Sequence, residues 1–147
     1  MPLPTQLRLL FPNSIEEPFE ETSPPTKGSD SIQYNCIAWA YEDNTQWYWP
    51  HPNRFWPENI PMEVSLNAFQ RLFESKGYEV CFDSSLEEGL KKIAIYSKND
   101  LPTHAARQLP DGLWTSKLGT EHDVSHTIEG MSDGYYGNVA VIMKKKI

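Results

Sequence analysis

The feature that most constrains the fold is a series of short strand-like segments in the second half of the chain. Residues 92–97, 103–109 and 113–118 have the composition of β-strands, and Pro110-Asp111-Gly112 is a strong turn signal that joins the last two as a hairpin. Residues 138–143 form a nearly continuous apolar strand that is expected to close the sheet. Strands and helices do not alternate regularly. The pattern therefore predicts an α+β protein with an antiparallel sheet, and not a doubly wound one.

Two helices are predicted before these strands. Ser65 is a suitable N-cap, Val64 and Phe69 are spaced as a hydrophobic staple, and Gly77 ends the helix. The apolar stripe of this helix consists of Leu66, Phe69, Leu72 and Phe73. The alternation of Tyr78, Val80 and Phe82 then predicts a short strand with Cys81 on its opposite face. The other helix is the apolar run 37–41, which directly follows Cys36.

Length and composition indicate one globular domain spanning residues 1–147. Apolar residues make up 39% of the chain and charged residues 22%, and the net charge is −7. Such a balance argues against a nucleic-acid partner, which would require a basic face. No apolar run is long enough to span a membrane or to serve as a secretory signal, so we expect no membrane partner and a cytoplasmic location. No cofactor or metal is predicted.

The first 31 residues contain six prolines and an acidic patch at residues 16–21. Proline removes a backbone donor and disfavours helix, so we expect 1–31 to be a Pro-rich extended arm on the domain surface. The arm is expected to shield a sheet edge or to cover a cleft.

Cys36 is the candidate nucleophile. A thiol at a helix N-terminus faces unpaired backbone N–H groups and the positive end of the helix dipole, and both favour the thiolate. The alternative is a small buried apolar side chain, since free cysteine is among the most buried residue types. We interpret Cys36 and Cys81 as free thiols in a reducing compartment, and Cys81 as structural.

His104, at the start of a predicted strand, is the candidate partner of Cys36. On a sheet packed against the Cys36 helix, its imidazole could hold the thiol as a thiolate and imidazolium pair. With a bulge at Gly112, the hairpin places Ser116 on the same face as His104, one diagonal step away, where its hydroxyl could orient the ring. Asp123 is the rival orienting residue. The alternative for His104 is a surface strand histidine.

The order of these residues resembles that of the papain-like cysteine hydrolases, including the CHAP-type amidases. The shared order is a helix-initial cysteine, then a histidine at the start of a sheet strand, then a polar residue on the next strand. Residues 35–40 and 103–119 also resemble those of a family of short, uncharacterised bacterial proteins, a likeness that covers most of the chain from Tyr34 onward and implies no activity. The first resemblance implies a papain-like fold and a cysteine hydrolase.

The reaction that this resemblance implies is acyl transfer to a thiol. Cys36 would attack a carbonyl carbon, and His104 would take the thiol proton and later give it to the leaving amine. No Gln stands several residues before Cys36, where papain has its oxyanion-hole residue, so Gln33 and Asn35 are the nearer candidates beside the Cys36 N–H. The substrate would be a peptide, a cell-wall crosslink or a glutamine side chain, and a protein partner is possible.

The aromatic loop 44–57 supports a different class of function. It contains three tryptophans, a tyrosine and three prolines. Exposed rings would form a platform for stacking on sugars, bases or a peptide, and the chain would then be a non-catalytic binding module. Buried rings would instead fill space beside the Cys36 helix. The candidate substrate-binding aromatics are Trp39, Trp47, Trp49 and Trp114.

A zinc-dependent hydrolase is the third alternative. Residues 122–126 contain His-x-x-x-His, which on a helix would place both imidazoles on one face, with His104 or Asp123 as a further ligand. The helical pattern of this segment is weak and Gly130 follows soon after, so surface histidines are the simpler interpretation.

Overall fold

In the computed structural model, which describes residues 8–23, 34–118 and 123–147, the chain is an α+β protein built on one seven-stranded antiparallel sheet. The strands are β1 (Phe19–Ser23), β2 (Glu79–Cys81), β3 (Leu90–Lys98), β4 (Leu101–Gln108), β5 (Trp114–Lys117), β6 (Asp123–His126) and β7 (Asn138–Lys146). Their order across the sheet is β1-β6-β5-β4-β3-β7-β2. The predicted fold class is confirmed at this level.

The helices are α1 (Cys36–Tyr41), α2 (Leu66–Glu74) and α3 (Ile128–Met131), and a 3₁₀ helix covers Pro12–Ile15. Both predicted helices begin at the expected positions, α1 at Cys36 and α2 directly after Ser65. The Asn35 side chain accepts from the N–H of Ala38 at the start of α1, and Ser65 does the same for Ala68 at the start of α2. Each cap satisfies a backbone donor that the first helical turn leaves without a partner.

The two faces of the sheet carry two separate apolar clusters, because successive side chains on a strand point to opposite faces. On β3, Ile93 and Ile95 pack with α1 and α2, whereas Ala94 and Tyr96 pack on the other face against Phe11 and Met131. We call these the helix face and the far face. Which face a strand residue occupies decides what it can contact at the functional site.

The predicted hairpin is formed as expected. The N–H of Leu109 donates to the carbonyl oxygen of Leu113 at 2.7 Å, and the N–H of Gly112 donates to the carbonyl of Leu109. Gly112 has a φ of 90°, a conformation that residues with a Cβ rarely adopt. The turn therefore sets the pairing of β4 with β5.

The described part of the N-terminal segment is built into the fold, and this differs from the expected surface arm. β1 pairs with β6 at one edge of the sheet, and both Phe11 and Phe19 are buried in the far-face cluster. Pro12 lies in the first turn of the 3₁₀ helix and Pro18 just before β1, so neither removes a donor from the strand. The segment does shield an edge, that of β6.

The other edge also differs from the prediction. β7 does not close the sheet, because it lies between β3 and β2. The strand predicted from the alternation at 78–82 is limited to Glu79–Cys81, and Phe82 is 95% exposed beyond its end.

No helix among the described residues has the length and apolar character required to cross a lipid bilayer.

We predict that Gly137→Ala destabilises the fold far more than Gly89→Ala. Both glycines have a φ of 81°, so both substitutions carry the same backbone penalty of about 1–2 kcal/mol. An added Cβ at Gly137 would clash with the carbonyl oxygen of Ser97, whereas nothing lies within 4 Å of one at Gly89. Urea unfolding of the two variants measures the difference, and equal losses would contradict the close packing of this turn on β3.

Candidate functional site

A cleft of about 720 Å³ opens beside the N-terminus of α1. Three segments form its walls: the aromatic loop 44–57, the β3–β4 turn and the loop that precedes β7. Its lining residues are Asn35, Cys36, Trp47, Trp49, Val64, Lys98, Asn99, Leu101, Pro102, Thr103, Tyr135 and Tyr136. The cleft brings together one predicted nucleophile and two of the predicted binding aromatics.

The buried side chain of Asn35 joins α1 to the aromatic loop. Its Nδ2 donates to the carbonyl oxygen of Tyr48 at 2.7 Å, and its Oδ1 accepts from the N–H groups of Tyr48 and Ala38 at 3.1 Å each. This amide is therefore used in holding the cleft wall. Its Nδ2 carries two hydrogens, so the predicted role as an oxyanion-hole donor would have to use the one that does not bind Tyr48.

Cys36 is the first residue of α1 and its thiol is buried. Burial raises the pKa of the thiol to about 11, and the backbone N–H groups of Ala105, Ile37 and Cys36 and the charge of Lys117 oppose this shift without cancelling it. The helix N-terminus thus favours the thiolate as expected, but desolvation is the larger effect. At neutral pH Cys36 is a protonated thiol.

His104 lies on the opposite face of the sheet from Cys36. Ala105 packs in the helix-face cluster together with Cys36, and the side chain of the preceding residue points the other way. The His104 ring is stacked on Tyr136 at 4.1 Å between centroids and lies edge-on to Tyr96. The expected contact between Cys36 and His104 is therefore not formed, because strand alternation directs the imidazole to the far face.

On that face His104 belongs to a buried chain of polar side chains. Its Nε2 lies 2.8 Å from Oγ of Ser116, and the same Oγ lies 2.7 Å from Nε2 of His126. The Nδ1 of His126 lies 2.8 Å from the carbonyl oxygen of Thr127. The predicted proximity of Ser116 to His104 is correct, while His126 was not foreseen as its neighbour.

The carbonyl of Thr127, at the end of this chain, determines which nitrogen of each histidine carries the hydrogen. A carbonyl only accepts, so Nδ1 of His126 carries the hydrogen and its Nε2 accepts from the Ser116 hydroxyl. Oγ of Ser116 must then accept from Nε2–H of His104. Nδ1 of His104 remains an acceptor, and it is buried without a hydrogen-bond partner among the described residues. Burial lowers the pKa of both histidines, so both are neutral.

The remaining predicted catalytic residues are Asp123, Gln33 and Ser116. Asp123 pairs with Lys117 in the sheet register. The next residue, Leu118, packs in the far-face cluster, so the side chains of Lys117 and of its partner Asp123 are on the helix face and not beside His104. Gln33 lies outside the described residues. Ser116 is fully buried, which denies it contact with a substrate.

The predicted binding aromatics divide into two groups. Trp47 and Trp49 line the cleft and are half-buried, as a binding platform requires. Trp39 lies elsewhere, donating to Thr115 Oγ1 at 3.1 Å, and Trp114 is buried in the far-face cluster. Both predicted alternatives for the loop therefore apply to different residues. Trp47 and Trp49 face an open cleft, whereas Trp56 is buried and fills space against Phe69.

Tyr135 and Tyr136 complete the cleft and were not recognised from the sequence. Tyr135 is 58% exposed, and Tyr136 lies between the cleft and the buried ring of His104. Their signal was the pair of adjacent tyrosines between Gly134 and Gly137, a loop that turns sharply with φ of 81° at Gly137. Only the tertiary fold brings this loop opposite Trp47 and Trp49.

The predicted zinc alternative depends on a helix that does not form in the described part of its segment. Residues 123–126 are strand β6, and His126 is buried rather than at the surface, with both ring nitrogens hydrogen-bonded. His122 lies outside the described residues. Within 8–23, 34–118 and 123–147, no group of three or more His, Cys, Asp or Glu side chains could hold a metal ion together.

The fold and site define an α+β protein with an aromatic cleft at the end of its sheet and a protonated thiol in the cleft wall. Residues 26–144 match the family described as Domain of unknown function (DUF7689), and the chain belongs to this family. No curated protein and no solved structure matches the chain.

We predict that Cys36 is alkylated slowly at neutral pH. The thiolate is the reactive form, and with a pKa of about 11 its population still rises tenfold per pH unit up to about pH 10. Iodoacetamide labelling of the native protein followed by peptide mass spectrometry measures the rate, with the less buried Cys81 as an internal reference.

His104→Gln is the matched variant for this measurement. Because the imidazole lies on the far face, it should leave the pH dependence of Cys36 labelling unchanged. Fast labelling that is constant between about pH 6 and pH 8 and is lost in the variant would contradict the described geometry and establish a thiolate–imidazolium pair.

We predict that acid destabilises the fold through the buried histidines. The pKa of His126 is lowered to about 4, and that of His104 is lowered well below its usual value of about 6.5, because burial disfavours their charged forms. The unfolded chain therefore binds more protons. The free energy of unfolding is therefore highest above about pH 6.5 and decreases as the pH falls toward about 4. His126 accounts for roughly 3 kcal/mol of this decrease.

Urea unfolding at a series of pH values measures this loss. His126→Gln should reduce the pH dependence of the free energy of unfolding to the part that His104 contributes, whereas His51→Gln, which removes an exposed histidine of the aromatic loop, should retain it in full. A free energy that is constant between about pH 7 and pH 5 would show that the two rings are not held neutral in the fold.

Proposed function

We propose that the protein is a non-catalytic binding module that takes a small apolar or aromatic ligand in the cleft beside α1. The observation that carries this proposal is the convergence of Trp47, Trp49, Tyr135 and Tyr136 on one open cleft. Ring faces bind flat or apolar groups by stacking and by excluding water. The volume of about 720 Å³ lies within the range of about 300–1,000 Å³ that is usual for small-molecule sites.

The cleft walls are supported from behind, as a preformed site requires. Trp49 lies edge-on to the buried ring of Phe69, with centroids 5.4 Å apart, and Tyr136 rests on His104. The Asn35 amide fixes the loop between the two tryptophans through both backbone polar groups of Tyr48. The rings are therefore already ordered before a ligand binds, so binding does not have to supply the free energy of ordering them.

A papain-like cysteine hydrolase is the second candidate. Its support is the order of elements, with a cysteine at the start of a helix packed on an antiparallel sheet, and the three backbone N–H groups that face the thiol. Such donors suit a thiolate or an oxyanion. This candidate also accounts for the position of Cys36 in a cleft that an amide substrate could enter.

The hydrolase would require a base at Cys36. To present His104 on the helix face, β4 would have to shift its register by one residue, which would turn every side chain of the strand to the other face. Ala105 and Ala106 would then leave the two apolar clusters in which they pack. We therefore place the binding module first.

Binding of an uncharged aromatic probe tests the first candidate. We expect para-fluorophenylacetamide to bind with a dissociation constant of about 1 mM or tighter, as suits a ligand of its size. Fluorine NMR titration measures the affinity. Trp49→Ala and Tyr135→Ala should each weaken binding at least about fivefold by removing a stacking surface.

Trp39→Ala is the control, because it removes a half-buried indole that lies outside the cleft. Its affinity for the probe should equal that of the unmodified protein, and thermal unfolding should show that all three variants are folded. Undetectable binding to the unmodified protein, or equal losses in all three variants, would contradict the proposal.

A further inference from the structure

We infer that the ligand of the cleft is a small aromatic or apolar carboxylate whose anionic group pairs with Lys98. This inference rests on the proposed binding function and adds the chemical class of the ligand. It follows from the polar and charged groups that the cleft wall offers to a ligand.

Some polar side chains of the wall already bind other parts of the protein. The Asn35 amide makes the three hydrogen bonds that join α1 to the aromatic loop. The Thr103 hydroxyl donates to the carbonyl oxygen of Tyr136 at 2.6 Å. The Cys36 thiol is protonated and is a weak donor. These groups shape the cleft but offer little to an incoming polar atom.

The other polar side chains of the wall are Lys98, Asn99 and the four aromatic side chains that carry an N–H or O–H group, Trp47, Trp49, Tyr135 and Tyr136. Lys98 and Asn99 are both exposed at the β3–β4 turn. Of the described residues that line the cleft, Lys98 carries the one formal charge. An ammonium at the rim of an apolar cleft is complementary to an anion at the end of an apolar body.

The side chain of Lys98 starts close to the loop that supplies the tyrosines. A Cβ built on Gly137 would lie 3.2 Å from Cβ of Lys98. Lysine commonly packs its methylene groups on the protein while its ammonium reaches solvent. Lys98 is exposed and lines the same cleft as Tyr135 and Tyr136, so its charge is available to a ligand that these rings bind.

The alternative of a cationic ligand is less well matched. No carboxylate is among the lining residues that the structure describes, and the ring of Trp47 already has the guanidinium of Arg54 at 4.9 Å from its centroid. The net charge of −7 opposes an anion at long range, but salt screens such repulsion beyond about 8 Å at physiological ionic strength. The local charge of Lys98 therefore decides the preference.

A pair of probes that differ in charge tests the inference. Fluorine NMR titration compares para-fluorophenylacetate with the uncharged para-fluorophenylacetamide at low and high salt. We expect the acetate to bind about fivefold more tightly at low salt, as suits a partly exposed ion pair, and the difference to shrink as salt is added.

Lys98→Gln should abolish the preference for the acetate, so that the variant binds the two probes with equal affinity. Lys144→Gln is the matched control, because it removes the same charge at a place far from the cleft. Asn138 pairs with Ser97 beside the cleft, and Lys144 lies about six residues further along β7. The control should keep the preference. It separates the local ion pair from the effect of net charge.

The outcomes distinguish this inference from the proposed function. Equal affinities for the two probes, or a preference that survives in Lys98→Gln, would overturn the carboxylate assignment and leave the aromatic cleft as a site for uncharged ligands. Binding of neither probe would overturn the proposed function and the carboxylate assignment with it.

Discussion

The side chain of Asn35 is the contact on which the site depends. Through one amide it caps α1 and holds Tyr48, which lies between the two tryptophans of the cleft. A buried amide with donor and acceptor both satisfied is rigid, since breaking any bond would leave an unpaired polar group out of contact with water. The position of Cys36 and the shape of the aromatic wall therefore follow from the same three hydrogen bonds.

A second buried polar group lies behind the opposite wall. The chain from His104 through Ser116 to His126 ends on a backbone carbonyl, and this end determines the tautomer of each ring. Tyr136 stacks on His104, the first ring of the chain, and also lines the cleft. His104 thus acts in this fold as a neutral, space-filling partner of the tyrosine, and the strand alternation that places it there also separates it from the thiol.

Local patterns predicted much of the secondary structure. Ser65 caps its helix as expected, and the helix that begins at Cys36 also starts at the predicted position, where Asn35 proves to be the cap. Gly112 marked the hairpin, whose register brought Ser116 to His104. β1 and β6 were missed because each is only four or five residues long and gains its pairing from the other, a contact between segments about 100 residues apart.

The amino-acid sequence by itself determined the α+β class, the helix starts, the hairpin and the concentration of aromatic residues at 44–57, because each depends on neighbours within a few positions of the chain. Only the tertiary structure decided that Cys36 and His104 lie on opposite faces, and that Tyr135 and Tyr136 meet Trp47 and Trp49 in one cleft. The physical reason is the two-residue period of a strand, in which the choice of face depends on sheet register and on what packs against each side.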